Sequence, residues 1–184
     1  MVSIKLVSDS IELEGIKKLQ HQNLKNILSD SEIASQGFVT AEYSLEFLDK
    51  MHLAAPSVLA KDQDEVVGYA LVSIHSIRAY HDLLADLFNC IDRSEYQGEK
   101  LAATKYVVVG QLCVAKEYRG MGIVDQMYQY FKKQYSKEFQ YCITDIAQDN
   151  PRSLKAHLKT GFQVIDTLTY GGVSWDIVLW DWNA

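Results

Sequence analysis

The sequence predicts a mixed α/β fold in a single domain, and three features of the chain lead there. Tyr106–Val114 is almost continuously apolar apart from Gly110 and Gln111, as a central strand covered on both faces should be. Ile123–Tyr135 sets Ile123, Met127, Tyr130 and Phe131 along one side, which is helical periodicity. Between these segments Gly120 and Gly122 fall where the chain has to turn from strand into helix. With 184 residues, 48% of them apolar, the chain can bury one substantial core. It has two prolines, no low-complexity stretch and no internal repeat, so residues 1–184 are expected to form one domain without a linker.

The remaining elements follow in order. Residues 2–7 alternate as a short strand, and residues 11–28 place Leu13, Ile16, Leu19, Leu24, Ile27 and Leu28 at helical spacing. Residues 31–38 suit a loop or a short irregular helix, whereas residues 41–52 carry Leu45, Leu48 and Met51 on one helical face. Two β-rich runs, 57–60 and 66–74, flank a segment whose Asp62-Gln63-Asp64 core is good turn chemistry, which predicts an antiparallel hairpin. Residues 77–101 read as an amphipathic helix with Leu83, Leu84, Leu87, Phe88 and Ile91, followed by a polar break at 95–100. Lys132, Lys133 and Lys137 suit the negative pole at the end of the long helix. A strand at 139–146, a helix at 150–159 and a hairpin of 162–169 with 173–180, turning at Gly171 and Gly172, complete the chain.

Charge and composition narrow the function. Against 24 acidic side chains stand 18 basic ones, and the net charge of -6 repels a nucleic-acid backbone while modestly favouring a cationic ligand such as an amine. Apolar runs break well short of the ~20 residues that cross a bilayer, and residues 1–8 hold no apolar segment of signal type; a cytoplasmic protein without a membrane segment is expected. Cys90, Cys113 and Cys142 are odd in number and widely spaced, which argues against disulfides and against a structural metal. Cys113, within the apolar strand, reads as core rather than nucleophile. Trp175, Trp180 and Trp182 alternate with polar residues and suit an apolar face or a contact within a homodimer.

The chemistry concentrates in two segments. In Glu117-Tyr118-Arg119-Gly120-Met121-Gly122-Ile123-Val124, two glycines remove side chains where a helix begins. Its first N–H groups lack internal partners and carry the positive end of the dipole, so a pyrophosphate fits there, with Arg119 able to add a charge-assisted contact. In the second segment, residues 150–162, Asn150 suits the N-cap, Pro151 the first turn, and Gly161 a left-handed C-terminal position. Helical spacing then aligns Asn150, Ser153 and His157 on one polar stripe while Leu154 and Leu158 point inward.

Together these segments resemble the acetyl-CoA signature of the GNAT superfamily of N-acetyltransferases. Arg119-Gly120-Met121-Gly122-Ile123-Val124 matches its pyrophosphate loop except at Val124, where the family carries a small residue. Residues 150–162 match its second motif at Asn150, Ser153, His157, Lys159, Gly161 and Phe162. The resemblance extends to the element order across most of the chain, with residues 77–101 as an extra insert. It implies a mixed, mostly antiparallel twisted sheet flanked by helices and splayed between two central strands.

It further implies acetyl-CoA held by Leu112, Cys113, Val114, Arg119, Gly120, Met121, Gly122, Ile123, Val124, Asn150, Ser153 and His157, with Gly110 and Gln111 nearer the acetyl group. The implied reaction is direct attack of a small-molecule or peptide amine on the thioester. His157, at a position where many relatives place an acidic tyrosine, is the candidate general acid. No glutamate lies in Tyr106–Val114, so the base is unassigned; Asp145, His75, Glu42 and Tyr43 are candidates to hold the amine. A non-catalytic acyl-CoA sensor is the alternative reading. A nucleotide-phosphate enzyme is disfavoured, because no Gly-Lys-Ser/Thr sequence follows the loop.

Overall fold

The computed structural model describes residues 1–183. Strand β1 (Val2–Leu6) leads into α1 (Ser10–Gln22), which begins where the Asp9 carboxylate accepts from the Glu12 N–H. The helix ends earlier than its apolar spacing suggests. Asn23 turns its amide back onto the Leu19 carbonyl at 2.8 Å, and the backbone around it then exchanges hydrogen bonds with Val39. Leu24, Ile27 and Leu28 keep helical spacing only by coincidence. Next come α2 (Asp30–Gln36), where the Glu32 carboxylate accepts from Ser29, and α3 (Leu45–Ala54), started by Ser44 accepting from the Phe47 N–H.

The expected hairpin is β2 (Val58–Asp62) with β3 (Glu65–Ser73), turning through Gln63 at φ 53°. The insert divides into more pieces than its periodicity foretold. A 3-10 turn (His75–Tyr80) precedes α4 (Asp82–Arg93), because His81 between them is extended, at φ −152° and ψ 126°. A miniature hairpin of β4 (Glu95–Tyr96) and β5 (Glu99–Lys100) occupies the expected polar break. The chain continues through β6 (Tyr106–Val114), α5 (Ile123–Tyr135), β7 (Tyr141–Ala147), α6 (Pro151–Thr160), β8 (Gln163–Tyr170) and β9 (Val173–Asp181).

Seven strands form one sheet in the order β1-β2-β3-β6-β7-β9-β8. Every neighbouring pair is antiparallel except β6 and β7. That parallel pair is joined only at Tyr106↔Tyr141, Val107↔Cys142 and Val108↔Ile143. Beyond Val108 the two strands part, and a wedge opens in the middle of the sheet. On its other edge β6 stays paired with β3, apart from a bulge at Gly110 between the Leu71↔Gln111 and Val72↔Val109 pairs. Glycine is required there because a Cβ would stand 2.5 Å from the Ser73 hydroxyl.

Apolar side chains cover both faces of the sheet. On one, Ile16, Leu19, Leu48, Met51, Leu84 and Phe88 of α1, α3 and α4 pack over β3, β6 and β7. On the other lie Ile123, Met127, Tyr128 and Phe131 of α5, joined by Phe162, Trp180 and Trp182. All three tryptophans are buried within the chain itself, as the apolar face expected for them requires. No helix among the described residues is long and apolar enough to cross a membrane.

Candidate active site

The wedge between β6 and β7 becomes a site because the loop after β6 closes one end of it. Gly120 (φ 80°) and Gly122 (φ 75°) both hold the left-handed conformation that L-residues seldom adopt. At Gly120 a Cβ would meet nothing within 4 Å, so the requirement for glycine there is conformational rather than steric. Gly122 is the N-cap of α5 and has no side chain with which to cap it. The first helical bond runs from the Gln126 N–H to the Gly122 carbonyl. Hence the N–H groups of Gly122, Ile123, Val124 and Asp125 find no partner among the described residues.

These amides border a cavity of about 490 Å³, walled also by Leu112, Cys113 and Val114 of β6, by Gly37, Phe38 and Val39, and by Asn150 and Ser153 of α6. Leu112, Cys113 and Val114 pair with β3 on one side only, which leaves their other edge facing the wedge. The helix starts at Ile123, with the Val124 side chain against the apolar core.

Several sequence-predicted residues lie at this cavity in roles that differ from expectation. Arg119 lines it, but its guanidinium is held by the fold: Nε donates to the Val114 carbonyl, Nη1 to the Gln36 carbonyl, and Nη2 to Asn23 Oδ1. It braces the loop against the segment after α1. The Met121 side chain is exposed and stands outside the cavity wall. Asn150 Oδ1 caps α6 by accepting from the Ser153 N–H, while Nδ2 donates to the Phe38 carbonyl, which ties α6 to the opposite wall.

His157 departs most from expectation. The ring is buried behind Ser153; Nδ1 lies 2.8 Å from the Ser153 carbonyl and Nε2 lies 2.6 Å from the Tyr128 hydroxyl. A carbonyl can only accept, so Nδ1 carries the proton and Nε2 accepts from Tyr128. Burial pushes the imidazole down to about 4, so at neutral pH it is uncharged and has no free N–H to give a departing thiolate. As the general acid foreseen from the sequence, His157 is badly placed.

A second cavity of about 70 Å³ continues from the first and shares Phe38, Val39, Leu112, Asn150 and Ser153 with it. Its inner end holds Gly110, Gln111, Tyr43, Leu83, Thr144, Asp145 and Trp175. Of the four candidates for the amine, two arrive here. Tyr43 is buried and donates to the Gly110 carbonyl at 3.3 Å. Asp145 has one carboxylate oxygen wholly enclosed without a partner, and burial raises its carboxyl to about 7. The other two lie elsewhere: Glu42 is exposed and paired with Lys17 at 2.7 Å, and His75 sits beside Tyr106 and Asp92. Burial lifts the Cys113 thiol to about 12, in keeping with a core residue.

Sequence reasoning missed Gln20, fully buried, whose amide donates to Gln111 Oε1 at 2.8 Å and accepts from the Tyr43 N–H. Its signal was a polar residue beside Ile16 and Leu19 on the inward face of α1. Trp175 was not expected at the site either, since only the packing of β9 brings it there.

A sequence model of the acetyltransferase (GNAT) family matches residues 22–162. The chain belongs to that family. No curated protein matches this acetyltransferase in sequence. Among solved structures it is similar to a GNAT-family acetyltransferase from Streptococcus agalactiae, at 15% identity and TM-score 0.68, over 98% of this chain and 95% of that one. NAA60 of Arabidopsis thaliana, solved in complex with acetyl-CoA, shares 16% identity at TM-score 0.67, over 98% and 99% of the two chains. The ribosomal-protein-S18-alanine N-acetyltransferase of Escherichia coli shares 8% identity at TM-score 0.65, over 98% and 94%. At such identities the likeness is one of fold, and it includes the mixed, mostly antiparallel sheet that this acetyltransferase splays between β6 and β7.

Proposed function

We propose that the protein moves the acetyl group of acetyl-CoA to the amine of a small molecule or peptide by direct attack within the β6–β7 wedge. The observation that supports this best is the continuity of the two cavities, with unpaired backbone amides at one end and an enclosed carboxyl of raised pKa at the other. The residues present suit acetyl-CoA. The N–H groups from Gly122 to Asp125 would hold its pyrophosphate, and the free edge of Leu112, Cys113 and Val114 would pair with its pantetheine arm. Bound there, acetyl-CoA supplies an activated thioester carbonyl.

The chain does the rest by positioning and proton handling. Asn150 and Ser153 stand where the cavities meet, and the Gly110 bulge brings the β6 backbone toward the same point. Asp145, ionised above about pH 7, takes the proton from the attacking amine. His157 fixes Ser153 through the backbone bond from Nδ1, leaving the Ser153 hydroxyl to hydrogen-bond the departing sulfur. Holding both reactants in one narrow wedge contributes further by removing the entropy of encounter.

Calorimetric titration with acetyl-CoA, followed by thiol release against a panel of amines, tests this reading. Binding with amine-dependent release supports transfer. Binding without release would point to the acyl-CoA sensor, and no binding would end both readings.

A further inference from the structure

The inner cavity holds two polar groups that the fold leaves unsatisfied. One is the enclosed oxygen of Asp145; the other is the indole N–H of Trp175, on a side chain only 6% exposed, with no partner among the described residues. Trp175 stands opposite Ala147 across the β7–β9 ladder, and Asp145 stands opposite Ile177. Residues two apart on a strand share a face, so Asp145 and Trp175 project to the same side of the sheet as diagonal neighbours, about 7–8 Å apart at the backbone. Both residues line the inner cavity, one with an acceptor that lacks a donor and the other with a donor that lacks an acceptor. A buried donor left unpaired is costly, so a ligand that fills both positions is favoured over one that fills only the first.

Resting on the acetyl-transfer reading, we propose that the acceptor is an α-amine next to a neutral carbonyl, the N-terminus of a peptide with a small first residue, its nitrogen at Asp145 and its carbonyl oxygen at the Trp175 N–H. Two hydrogen bonds of about 3 Å with the short N–C–C=O unit between them span the gap. A simple alkylamine satisfies Asp145 alone. A free amino acid would bring its carboxylate beside Asp145, and among the described residues no lysine or arginine lines the cavity to offset it. Size selects the first residue, for about 70 Å³ at roughly 10–15 Å³ per water leaves little room beyond a glycine, alanine or serine side chain.

The test is acetyl-CoA-dependent thiol release with glycinamide, glycylglycinamide, glycine, ethylamine and leucinamide, using wild type and Trp175→Phe, with acetyl-CoA affinity measured on the same samples. For wild type, kcat/KM for glycinamide and glycylglycinamide should exceed that for ethylamine, glycine and leucinamide by about tenfold or more. Trp175→Phe keeps an aromatic side chain, though a smaller one, and removes the N–H; it should narrow the glycinamide-to-ethylamine ratio toward one at an unchanged acetyl-CoA dissociation constant. Equal wild-type rates for ethylamine and glycinamide, or a Trp175→Phe loss shared equally by both, would overturn the proposal while leaving acetyl transfer intact. No release with any amine, despite acetyl-CoA binding, would overturn it together with the reading on which it rests.

Discussion

The side-chain amides of Gln20 and Gln111 meet at 2.8 Å across 91 positions of sequence. Gln111 Oε1 also accepts from the Tyr69 hydroxyl at 2.7 Å, and its Nε2 donates to the Ala41 carbonyl at 2.8 Å. One polar side chain therefore ties α1, β3 and the segment after α2 to the strand that borders the wedge. Gln111→Leu strands several of these partners in the interior. A loss of about 3 kcal/mol, or roughly 6–12 °C in thermal unfolding, is expected. Gln20→Leu should weaken the same network, and the double variant should lose less than the sum of the singles. Strict additivity of the melting shifts would refute the network.

Gly122→Glu places a side chain at φ 75° and a negative charge at the start of α5. The fold should persist, because this loop lies at the surface, but acetyl-CoA affinity measured by calorimetry should fall by at least about a hundredfold, roughly 3 kcal/mol. Unchanged affinity would remove the loop from the site.

Asp145 acts as a base only when ionised, so kcat should rise with pH through about 7. Asp145→Asn should lower kcat by about 10²–10⁴-fold and abolish that limb. The same substitution should stabilise the protein under alkaline conditions. Burial raises the folded carboxyl from its ordinary 3.8 to about 7, so the unfolded chain ionises first and the stability due to this residue declines as pH rises between these values. Melting curves of both proteins at about pH 4 and about pH 8 should diverge only at the higher pH. A variant no more stable than wild type at alkaline pH would contradict the enclosed carboxyl.

Two other groups act in the opposite sense to Asp145, each giving up its stabilisation as pH falls. Burial holds His157 at about 4, below its ordinary 6.5, so the unfolded chain takes up the proton first and the stability due to this residue is lost as pH drops from 6.5 toward 4, against the opposite trend of Asp145. Glu12 is the second such group. Burial alone would raise its carboxyl, but hydrogen bonds from Lys5, the Ser8 N–H and Lys61 outweigh it and bring the group down to about 2. That contribution is complete above 4.5 and disappears as pH falls toward 2. Glu12→Gln should destabilise by about 1–3 kcal/mol near neutrality and by less below about pH 3, which denaturant melts across pH can check. An equal loss at both pH values would rule out the charge as the cause.

Sequence alone made some of these features readable and concealed others for definite reasons. Tyr106–Val114 and Ile123–Tyr135 were legible to the residue because burial on both faces and burial on one face leave different periodicities. The glycine loop was legible because backbone conformation constrains residue type directly. Apolar spacing overran the end of α1, since Leu24 and Leu28 remain buried or half-buried in turns after Asn23 has closed the helix. It also could not detect the extended backbone of His81 that divides the insert. Side-chain roles were the least legible. Whether Arg119 faces a ligand or the fold depends on Gln36 and Asn23, and whether His157 keeps a free N–H depends on Tyr128, all of them distant in sequence. Asp145 could be named as a candidate, but not the desolvation that raises its carboxyl.

The three-rung junction of β6 and β7 gives this protein a sheet edge inside its own body. Exposed edges invite other chains to add strands and so promote aggregation. This one opens into a crevice of about 490 Å³ flanked by α5 and α6 rather than lying along the outer rim of the sheet. The protein can therefore keep main-chain hydrogen-bonding capacity in reserve at its centre and offer it to a slender extended molecule while refusing it to its neighbours in a crowded solution.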